Sequence, residues 1–583
     1  MEFKKLAEDF SKIESTTKRI AMTDYLSDIL RQAGPDIIGK VVYLIQGKLY
    51  PPFVGIEIGM AEKLAIRSVS IATGISPEDI TRSLRRTGDI GNTAYEELLA
   101  APHEIKEPLT VSEVYGALDK IARTSGSGST EAKINMLADL LRRATPLEAK
   151  YIARTVTGKL RLGVADMTVL DALADVYGGG RLARPTIERA YNMTSDLGAV
   201  SEAVAKGGVN ALSGFKITVG KPIRPMLAER LKTPQEILAK TGGECVAEYK
   251  YDGERVQIHK KGSEVILFSR RLENITIQYP DVVELAKNTI VADTAIVEAE
   301  IVAIDPETGE MRPFQELMRR RRKYGIEEMT KAFPASLFYF DCLYAGGRDL
   351  TEIPFLKRRD ELTQIIKPLG RAKLVEYTLT VDINQLEEFF EKAIQDGTEG
   401  IICKAIGPGT YYEAGSRGWL WIKYKREYRS EMTDTVDLVV VGAYYGRGKR
   451  AGVYGSLLTA IYSPETDTFK TITRLGAGFT DKDLAELPKM LEPYKIENRH
   501  PRVDAKEKPD VWFVQGLVLE VIGAEITLSP LHTAGLDRFR KGSGLAIRFP
   551  RFTGRYRTDK SPEDATTEQE IIEMYESRLH KVA

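Results

Sequence analysis

The spacing of apolar residues changes twice along the chain. Up to about residue 215, apolar side chains recur every three or four positions, which predicts helices. Strand-like and helix-like patterns then alternate, and short strands with glycine-rich turns follow from about residue 426. The pattern therefore predicts three domains: an all-α domain at 1–215, an α+β domain at 216–425, and a β domain with a C-terminal helix at 426–583.

One strand-like segment carries more polar groups than a strand requires. In AEYKYDGERVQIHKKG, residues 247–262, alternating apolar and polar residues run through an Asp-Gly pair, which predicts a β-hairpin. Glu248, Lys250 and Asp252 share one face of the incoming strand, and Arg255 follows the turn. A hairpin has no need of a lysine among carboxylates and an arginine, so the segment indicates an active site.

Composition fits an ordinary globular protein. The 583 residues are 43% hydrophobic and 28% charged, with neither an apolar run of membrane-spanning length nor a secretory signal. This predicts a cytoplasmic protein without a membrane partner. Cys245, Cys342 and Cys403 form no CxxC pair, so we expect buried thiols rather than disulfides or a structural zinc site.

The distribution of charge along the chain is more informative than the net charge. Lys+Arg and Asp+Glu are both 83, and a net charge of zero alone argues against nucleic-acid binding. Basic residues nevertheless cluster at 142–161, 318–323 and 537–560. Any one cluster is usually a solvated face, but three together favour a partner with repeated negative charge.

Further polar residues lie on predicted strands of the central domain. Each alone is more often a solvated strand end, but together they suit a nucleotide site. Two carboxylates can hold Mg²⁺, cations can surround a triphosphate, and an aromatic ring can stack on a base. The chain has no P-loop. These residues are Arg270, Glu300, Phe340, Glu399, Arg417, Lys423 and Lys425.

In such a site Lys250 can act as a nucleophile. An ε-amine attacks only when it is deprotonated, and neighbouring cations favour that form. Attack on an α-phosphate would form a lysyl phosphoramidate and release pyrophosphate, while a metal ion and the cations stabilise the developing charge.

These segments, in this order, resemble the covalent nucleotidyltransferase superfamily, and nearly the whole chain resembles archaeal ATP-dependent DNA ligases. The motifs are KYDGER, SRR, EAEIVA, FDCLY, EGIICK, WIKYK and, at 548–560, RFPRFTGRYRTDK. The resemblance implies an all-α DNA-binding domain with TGKLRLGV as its minor-groove loop. It also implies an α+β nucleotidyltransferase (adenylation) domain and a C-terminal β-barrel OB-fold.

The resemblance also assigns roles. Lys250 would be the adenylated nucleophile, Asp252 would assist nick sealing, and Glu300 and Glu399 would hold the metal. Glu248 would lie against adenine. The other nucleotide contacts would be Arg255, Arg270, Glu300, Phe340, Arg417, Lys423 and Lys425, with Phe340 stacking on the base.

The closing motif would act from the OB-fold. Arg551 and Lys560 would orient the leaving pyrophosphate when this domain closes. RFTGRYRTDK is one residue longer than the form RF-I-R-x-R-x-D-K of related ligases, so which arginine meets the triphosphate stays open.

The implied activity is ATP-dependent sealing of nicks in duplex DNA during replication, repair and recombination. ATP and Mg²⁺ or Mn²⁺ would be the cofactors. The partners would be nicked double-stranded DNA and a sliding clamp, with the protein a monomer in the cytoplasm and on the nucleoid. NQLEEFFEKA at 384–393 lacks the spacing of a clamp-binding box and is predicted to be a core helix.

Three alternative functions would require other features of the chain. An RNA ligase or capping guanylyltransferase would share the lysine motif, but a helical domain that encircles duplex DNA has no clear task there. An NAD-dependent ligase is disfavoured because its cysteine-ligated zinc module is absent. A non-catalytic scaffold with an OB-fold has no use for Lys250, Glu300 or Glu399, and retention of ATP-derived label would separate it from an enzyme.

Overall fold

The computed structural model describes residues 1–101, 107–305, 311–312, 314–320, 325–425, 435–447 and 450–580. Residues 321–323 of the basic cluster at 318–323, and the predicted boundary at 426, lie outside the described residues. The chain divides into two compact units. One contains Met1–Ile75 and Ala94–Lys425, and the other contains Ser76–Thr93 and Arg426–Ala583.

The N-terminal part is helical, as its apolar spacing predicts. Phe3, Leu6, Phe10 and Ile13 are all buried on the first helix. At Thr145 the backbone N–H donates to the Glu148 carboxylate, and the Glu148 N–H donates to the threonine hydroxyl, which closes a capping box. The helices are Phe3–Glu14, Arg19–Ala33, Ile38–Ile45, Glu62–Thr73, Pro77–Thr87, Ile90–Ala100, Val111–Arg123, Ser129–Arg143, Pro146–Val156, Asp166–Tyr177, Arg184–Thr194 and Leu197–Gly207.

Two sheets form the central α+β part. Their strands are β1 (Leu227–Arg230), β2 (Cys245–Lys250), β3 (Glu254–Lys261), β4 (Glu264–Ser269), β5 (Thr294–Ala303), β6 (Ala335–Ala345), β7 (Arg348–Asp349), β8 (Ala372–Leu374), β9 (Tyr377–Thr380), β10 (Gly400–Ala405) and β11 (Arg417–Lys425). One sheet has the order β1-β11-β10-β2-β9; the other has the order β4-β3-β5-β6-β7, with β8 paired to β6. The helices are Pro234–Thr241, Pro280–Thr289, Phe314–Leu317, Ile326–Ala332, Phe355–Ile365 and Ile383–Gln395.

The predicted hairpin at 247–262 is wrong. β2 pairs with β9 and β10, whereas β3 pairs with β4 and β5, so the two strands belong to different sheets. The Asp-Gly turn therefore carries the chain from one sheet to the other. A Cβ atom at Gly253 would overlap the Ile301 carbonyl oxygen, so glycine permits this close approach.

Alternation along β2 gives its side chains two different environments. Cys245, Ala247 and Tyr249 pack into an apolar core with Leu386 and Phe390 of the helix Ile383–Gln395. This helix contains the segment predicted to be a core helix. Because side chains alternate across a strand, the residues between the three core residues point to the opposite face.

The C-terminal part is rich in β-structure, as predicted. Its strands are β12 (Val436–Tyr445), β13 (Tyr454–Ser463), β14 (Thr468–Leu475), β15 (Lys495–Ile496), β16 (Val503–Asp504), β17 (Val511–Phe513), β18 (Val518–Ile522), β19 (Glu525–Ser529), β20 (Gly544–Arg548) and β21 (Arg551–Tyr556). Eight of them form one sheet, and β19 pairs with β20. The helices Asp481–Leu491 and Glu568–His580 complete it.

Two further expectations can be compared with the structure. All three cysteines are free and buried, as predicted. Among the described residues, every helix is too short or too polar to cross a lipid bilayer.

Candidate active site

Eleven of the thirteen site residues predicted from the sequence line one cavity of about 540 Å³. It lies against the polar face of β2, and both sheets and the turn between β2 and β3 contribute to its walls. The eleven residues are Glu248, Lys250, Asp252, Arg255, Arg270, Glu300, Phe340, Glu399, Arg417, Lys423 and Lys425.

Lys250, the last residue of β2, is ion-paired in this cavity. Its Nζ donates to the Glu399 carboxylate, which also accepts from Lys425 Nζ at 2.9 Å. Burial alone would raise the pKa of Glu399, but the charges of Lys250 and Lys425 lower it to about 2. The register of β2 and β10 places Gly400 opposite Lys250, which brings Glu399 beside the amine.

Two other carboxyl groups lie close to this pair. Burial raises the pKa of Glu300 to about 7, although the charges of Lys250 and Arg255 oppose the shift. Among the described residues, the Glu300 carboxylate has neither a hydrogen bond nor an ion pair. Burial and the nearby Glu399 also raise the pKa of Asp252, whose carboxylate accepts a hydrogen bond from the Phe314 N–H at 3.2 Å.

Three cations face the same cavity without an anion of their own. Arg270, Arg417 and Lys423 have no hydrogen-bond or ion-pair partner for their side chains within the part of the chain that the structure describes. Burial lowers the pKa of Lys423, and the charges of Arg417 and Lys425 lower it further. Burial and nearby arginines likewise lower the pKa of Arg270. This wall of the cavity is therefore suited to a polyanion.

Arg255 is held rigidly beside the cation wall. Its guanidinium forms a bidentate ion pair with Glu298, from Nη2 at 2.7 Å and from Nε at 3.2 Å, and donates to the Met226 carbonyl at 2.7 Å. The Tyr412 hydroxyl contacts the same Glu298 carboxylate at 3.0 Å. Since Glu298 is almost fully buried, this network fixes the position of the arginine.

An aromatic and an acidic side chain also line the cavity. The Phe340 ring meets Trp421 edge to face, with ring centroids 6.2 Å apart. Glu248 is 2% exposed and pairs with Lys404 at 2.7 Å and with Arg359. A flat, partly apolar ligand with a hydrogen-bond donor on its edge would fit between these groups.

Arg551 and Lys560 are not among the residues that line this cavity, and they belong to the other compact unit. Lys560 Nζ donates to Asp437 at 2.7 Å, and Arg557 donates to the same carboxylate oxygen at the same distance. Arg551 is exposed at the start of β21.

Five residues that support the site have no role in the sequence-based prediction. Glu298 and Lys404 lie in the motifs EAEIVA and EGIICK, but their contacts depend on which strands are neighbours. Trp421 lies in the motif WIKYK, and Tyr412 lies outside the motifs. Arg359 belongs to none of the quoted motifs.

Two carboxylates fit one divalent cation. Mg²⁺ usually takes one or two protein carboxylates and completes its shell with waters and phosphate oxygens. Glu300 is partly exposed and has no hydrogen-bond or ion-pair partner among the described residues, and Glu399 lies close enough to interact with it electrostatically. No cluster of three or more metal-ligating side chains occurs within those residues.

Known proteins resemble the chain over nearly its whole length. Three family profiles match: "DNA ligase N terminus" at residues 2–174, "ATP dependent DNA ligase domain" at 225–425, and "ATP dependent DNA ligase C terminal region" at 450–560. DNA ligase 2 of Thermofilum pendens is 57% identical, over 98% of this chain and 97% of that protein. The DNA ligase of Staphylothermus marinus is 52% identical over the full length of both.

A solved structure supports the fold alone. The structure named Pmar-Lig_Pre has a TM-score of 0.55 at 16% identity and covers 95% of this chain and 99% of that one. The profiles and the full-length relatives carry the assignment. The chain therefore belongs to the ATP-dependent DNA ligase family.

Proposed function

We propose that Lys250 is the nucleophile with which this ligase takes AMP from ATP, on the way to sealing a nick in duplex DNA. The observation that carries the proposal is the position of Lys250. Its amine lies in a cavity that is also lined by Phe340, by Glu248 and by cations without an ion-pair partner among the described residues. Such a cavity can hold a triphosphate against the cations and a base against the ring and the carboxylate.

The reaction would proceed in three transfers. Lys250 Nζ bonds to the α-phosphorus of ATP, loses its proton, and pyrophosphate leaves. AMP then passes to the 5′-phosphate at the nick. The 3′-hydroxyl finally attacks that phosphate and expels AMP, with Asp252 assisting this last step. The protein acts mainly by positioning and electrostatics, as is usual in phosphoryl transfer.

The first transfer requires that the ion pair between Glu399 and Lys250 is broken. As long as the Glu399 carboxylate pairs with Lys250, the amine is engaged in an ion pair and is not free to attack. We propose that Glu300 and Glu399 hold Mg²⁺ or Mn²⁺, which would supply charge stabilisation at the phosphates. Loss of the Glu399 contact would free the Lys250 amine to attack.

The remaining contacts follow from position in the cavity. We assign the triphosphate to Arg255, Arg270, Arg417, Lys423 and Lys425. We assign the base to Phe340 and Glu248. Arg551 and Lys560 do not line the cavity, and we assign the leaving pyrophosphate to them from the resemblance of the closing motif alone.

The wider assignments rest on the resemblance to DNA ligases. We propose a DNA-binding domain at 1–215, an adenylation domain at 216–425 and an OB-fold domain at 426–583. The protein would act as a monomer on nicked duplex DNA, with a sliding clamp as partner. Because its proposed substrate is chromosomal DNA, we place its action on the nucleoid in the cytoplasm.

The test is covalent labelling with α-labelled ATP and Mg²⁺, followed by a denaturing gel. We expect the wild type to retain an acid-labile label and Lys250→Ala to lose it. Lys261→Ala is the matched control, since this lysine is exposed at the end of β3 and should keep the label. Addition of nicked DNA should discharge the label as AMP. A wild type that is stripped of AMP and still takes up no label would overturn the proposal.

A further inference from the structure

Two consecutive arginines connect the two central sheets behind the base end of the cavity. Arg358 and Arg359 are both buried on the helix Phe355–Ile365. Arg358 pairs with Asp341 on β6 at 2.9 Å, and Arg359 pairs with Glu248 on β2. Because β6 and β2 belong to different sheets, one helix fixes the positions of both.

Arg359 is held from two sides. One amino group donates to the Glu248 carboxylate, and its guanidinium lies 3.7 Å from the centroid of the Tyr377 ring. Tyr377 is the register partner of Glu248 across β2 and β9, so the ring and the carboxylate lie on the same face of the sheet. A planar guanidinium can stack on the ring and hydrogen-bond at its edge together, which an ammonium group cannot do equally well.

Glu248 is thereby held between two cations. Arg359 contacts Oε1, and Lys404 contacts Oε2 at 2.7 Å. Lys404 also donates to the Phe340 carbonyl at 3.2 Å, which links the acidic side chain to the aromatic residue. An ionised carboxylate offers only acceptors, so a ligand that meets Glu248 must bring a donor.

We propose that Arg359 is a positioning residue that holds the Glu248 carboxylate in place as an acceptor and so selects a purine with an amino group at position 6. The inference rests on the proposed function and adds the residue that sets its base preference. A 6-aminopurine presents N–H donors at that position, whereas a 6-oxopurine presents an acceptor that faces the carboxylate oxygens. Buried polar groups left without a partner make such discrimination strong.

The test compares ATP with inosine triphosphate, which carries an oxygen at position 6 and a hydrogen on N1. The rate of covalent labelling is measured against the concentration of each nucleotide. We expect Arg359→Met to raise the KM for ATP and to lower the ratio of ATP to inosine triphosphate efficiency by about tenfold or more. Arg359→Lys should restore part of that ratio, because it keeps a charged donor. Lys357→Met is the control, since Lys357 is exposed on the same helix.

The ratio of the two labelling efficiencies distinguishes a loss of positioning from a loss of stability. A variant that is merely less stable loses labelling with both nucleotides equally, and an unchanged ratio in Arg359→Met would overturn the inference. If that variant does not fold, Arg359→Gln replaces it, because it keeps a donor without the charge. A wild type that labels with neither nucleotide contradicts the proposed function instead, so the two failures are distinguishable.

Discussion

At the residue scale, a buried histidine sets an acid limit to stability. His259 on β3 accepts a hydrogen bond from the Gly220 N–H at 3.0 Å, and its other ring nitrogen lies 2.9 Å from Gln257 Oε1. Burial lowers the pKa of His259 from 6.5 to about 3. Below pH 6.5 the unfolded chain therefore binds a proton that the folded chain excludes. The free energy of unfolding falls from there to about pH 3, by about 1.4 kcal/mol for each pH unit.

Substitution isolates this contribution. We expect His259→Asn to lose this pH-dependent contribution. The difference in the free energy of unfolding between wild type and variant should therefore shrink as the pH falls from 6.5 to about 3. The measurement is urea unfolding at several pH values, with His500→Asn, at a partly exposed position, as the control. A difference that does not change with pH would show that the folded chain also accepts the proton.

The arginine pair shows what the sequence could have revealed at this scale. Phe355, Arg358, Arg359 and Leu362 follow the spacing of a buried helical stripe, and all four are buried. Arginine at such a position needs a buried carboxylate as partner, so the spacing alone indicated a buried ion pair. It did not indicate which carboxylates, because Asp341 and Glu248 reach the helix through strand pairing far along the chain.

At the scale of elements, the approach of β10 to its neighbours depends on a glycine. Gly400 has φ +143°, and a Cβ atom there would overlap the Tyr424 carbonyl oxygen on β11. We expect Gly400→Ala to push these strands apart, to cost about 1–3 kcal/mol of stability, and to slow labelling by displacing Glu399. Thermal unfolding and the ATP-labelling assay measure the two effects.

The control separates overlap from backbone strain. Gly407 also has a positive φ, +111°, but a Cβ atom there meets nothing within 4 Å. Gly407→Ala should therefore destabilise the chain while labelling continues at the wild-type rate. Equal labelling defects in both variants would mean that strain, and not the position of β10, controls the site.

Strands were predictable, but their partners were not. Alternation located β2 and β3, and the motif order located the ends that carry Lys250 and Glu399. The Asp-Gly pair fits a hairpin and a crossing between sheets equally well, since both need a tight turn. In the structure the turn crosses between sheets, and Gly253 lies against the Ile301 carbonyl. This is a contact between distant segments, which local sequence does not encode.

At the scale of the whole molecule, the order of structural classes was predictable from periodicity. Helical spacing, mixed patterns and short strands appear in the chain in the order that the structure has them. The compact units were not predictable, because residues 76–93 group with the C-terminal part across more than 300 intervening residues. Spacing within a segment contains no information about contacts of that range.

The proposed roles place the nucleophile Lys250 in one unit and the pyrophosphate contact Lys560 in the other. Substitution of Lys560 tests this assignment. Pyrophosphate leaves only in the first transfer, so we expect Lys560→Ala to slow ATP labelling by about ten- to a hundredfold, the loss of one charged contact. Sealing of a nick that already carries AMP should stay near the wild-type rate. Both rates are measured in single-turnover assays.

Two companion variants make this prediction specific. Lys508→Ala removes an exposed lysine of the same unit and should leave both rates unchanged. Lys560 is also an ion-pair partner of Asp437, so its loss could act through the fold of its own unit. If Lys560 acts through the fold of its unit, Asp437→Asn should slow both labelling and sealing, and Lys560→Ala should slow both as well. If Lys560 serves only the leaving group, Lys560→Ala slows labelling alone, because sealing an adenylated nick releases no pyrophosphate.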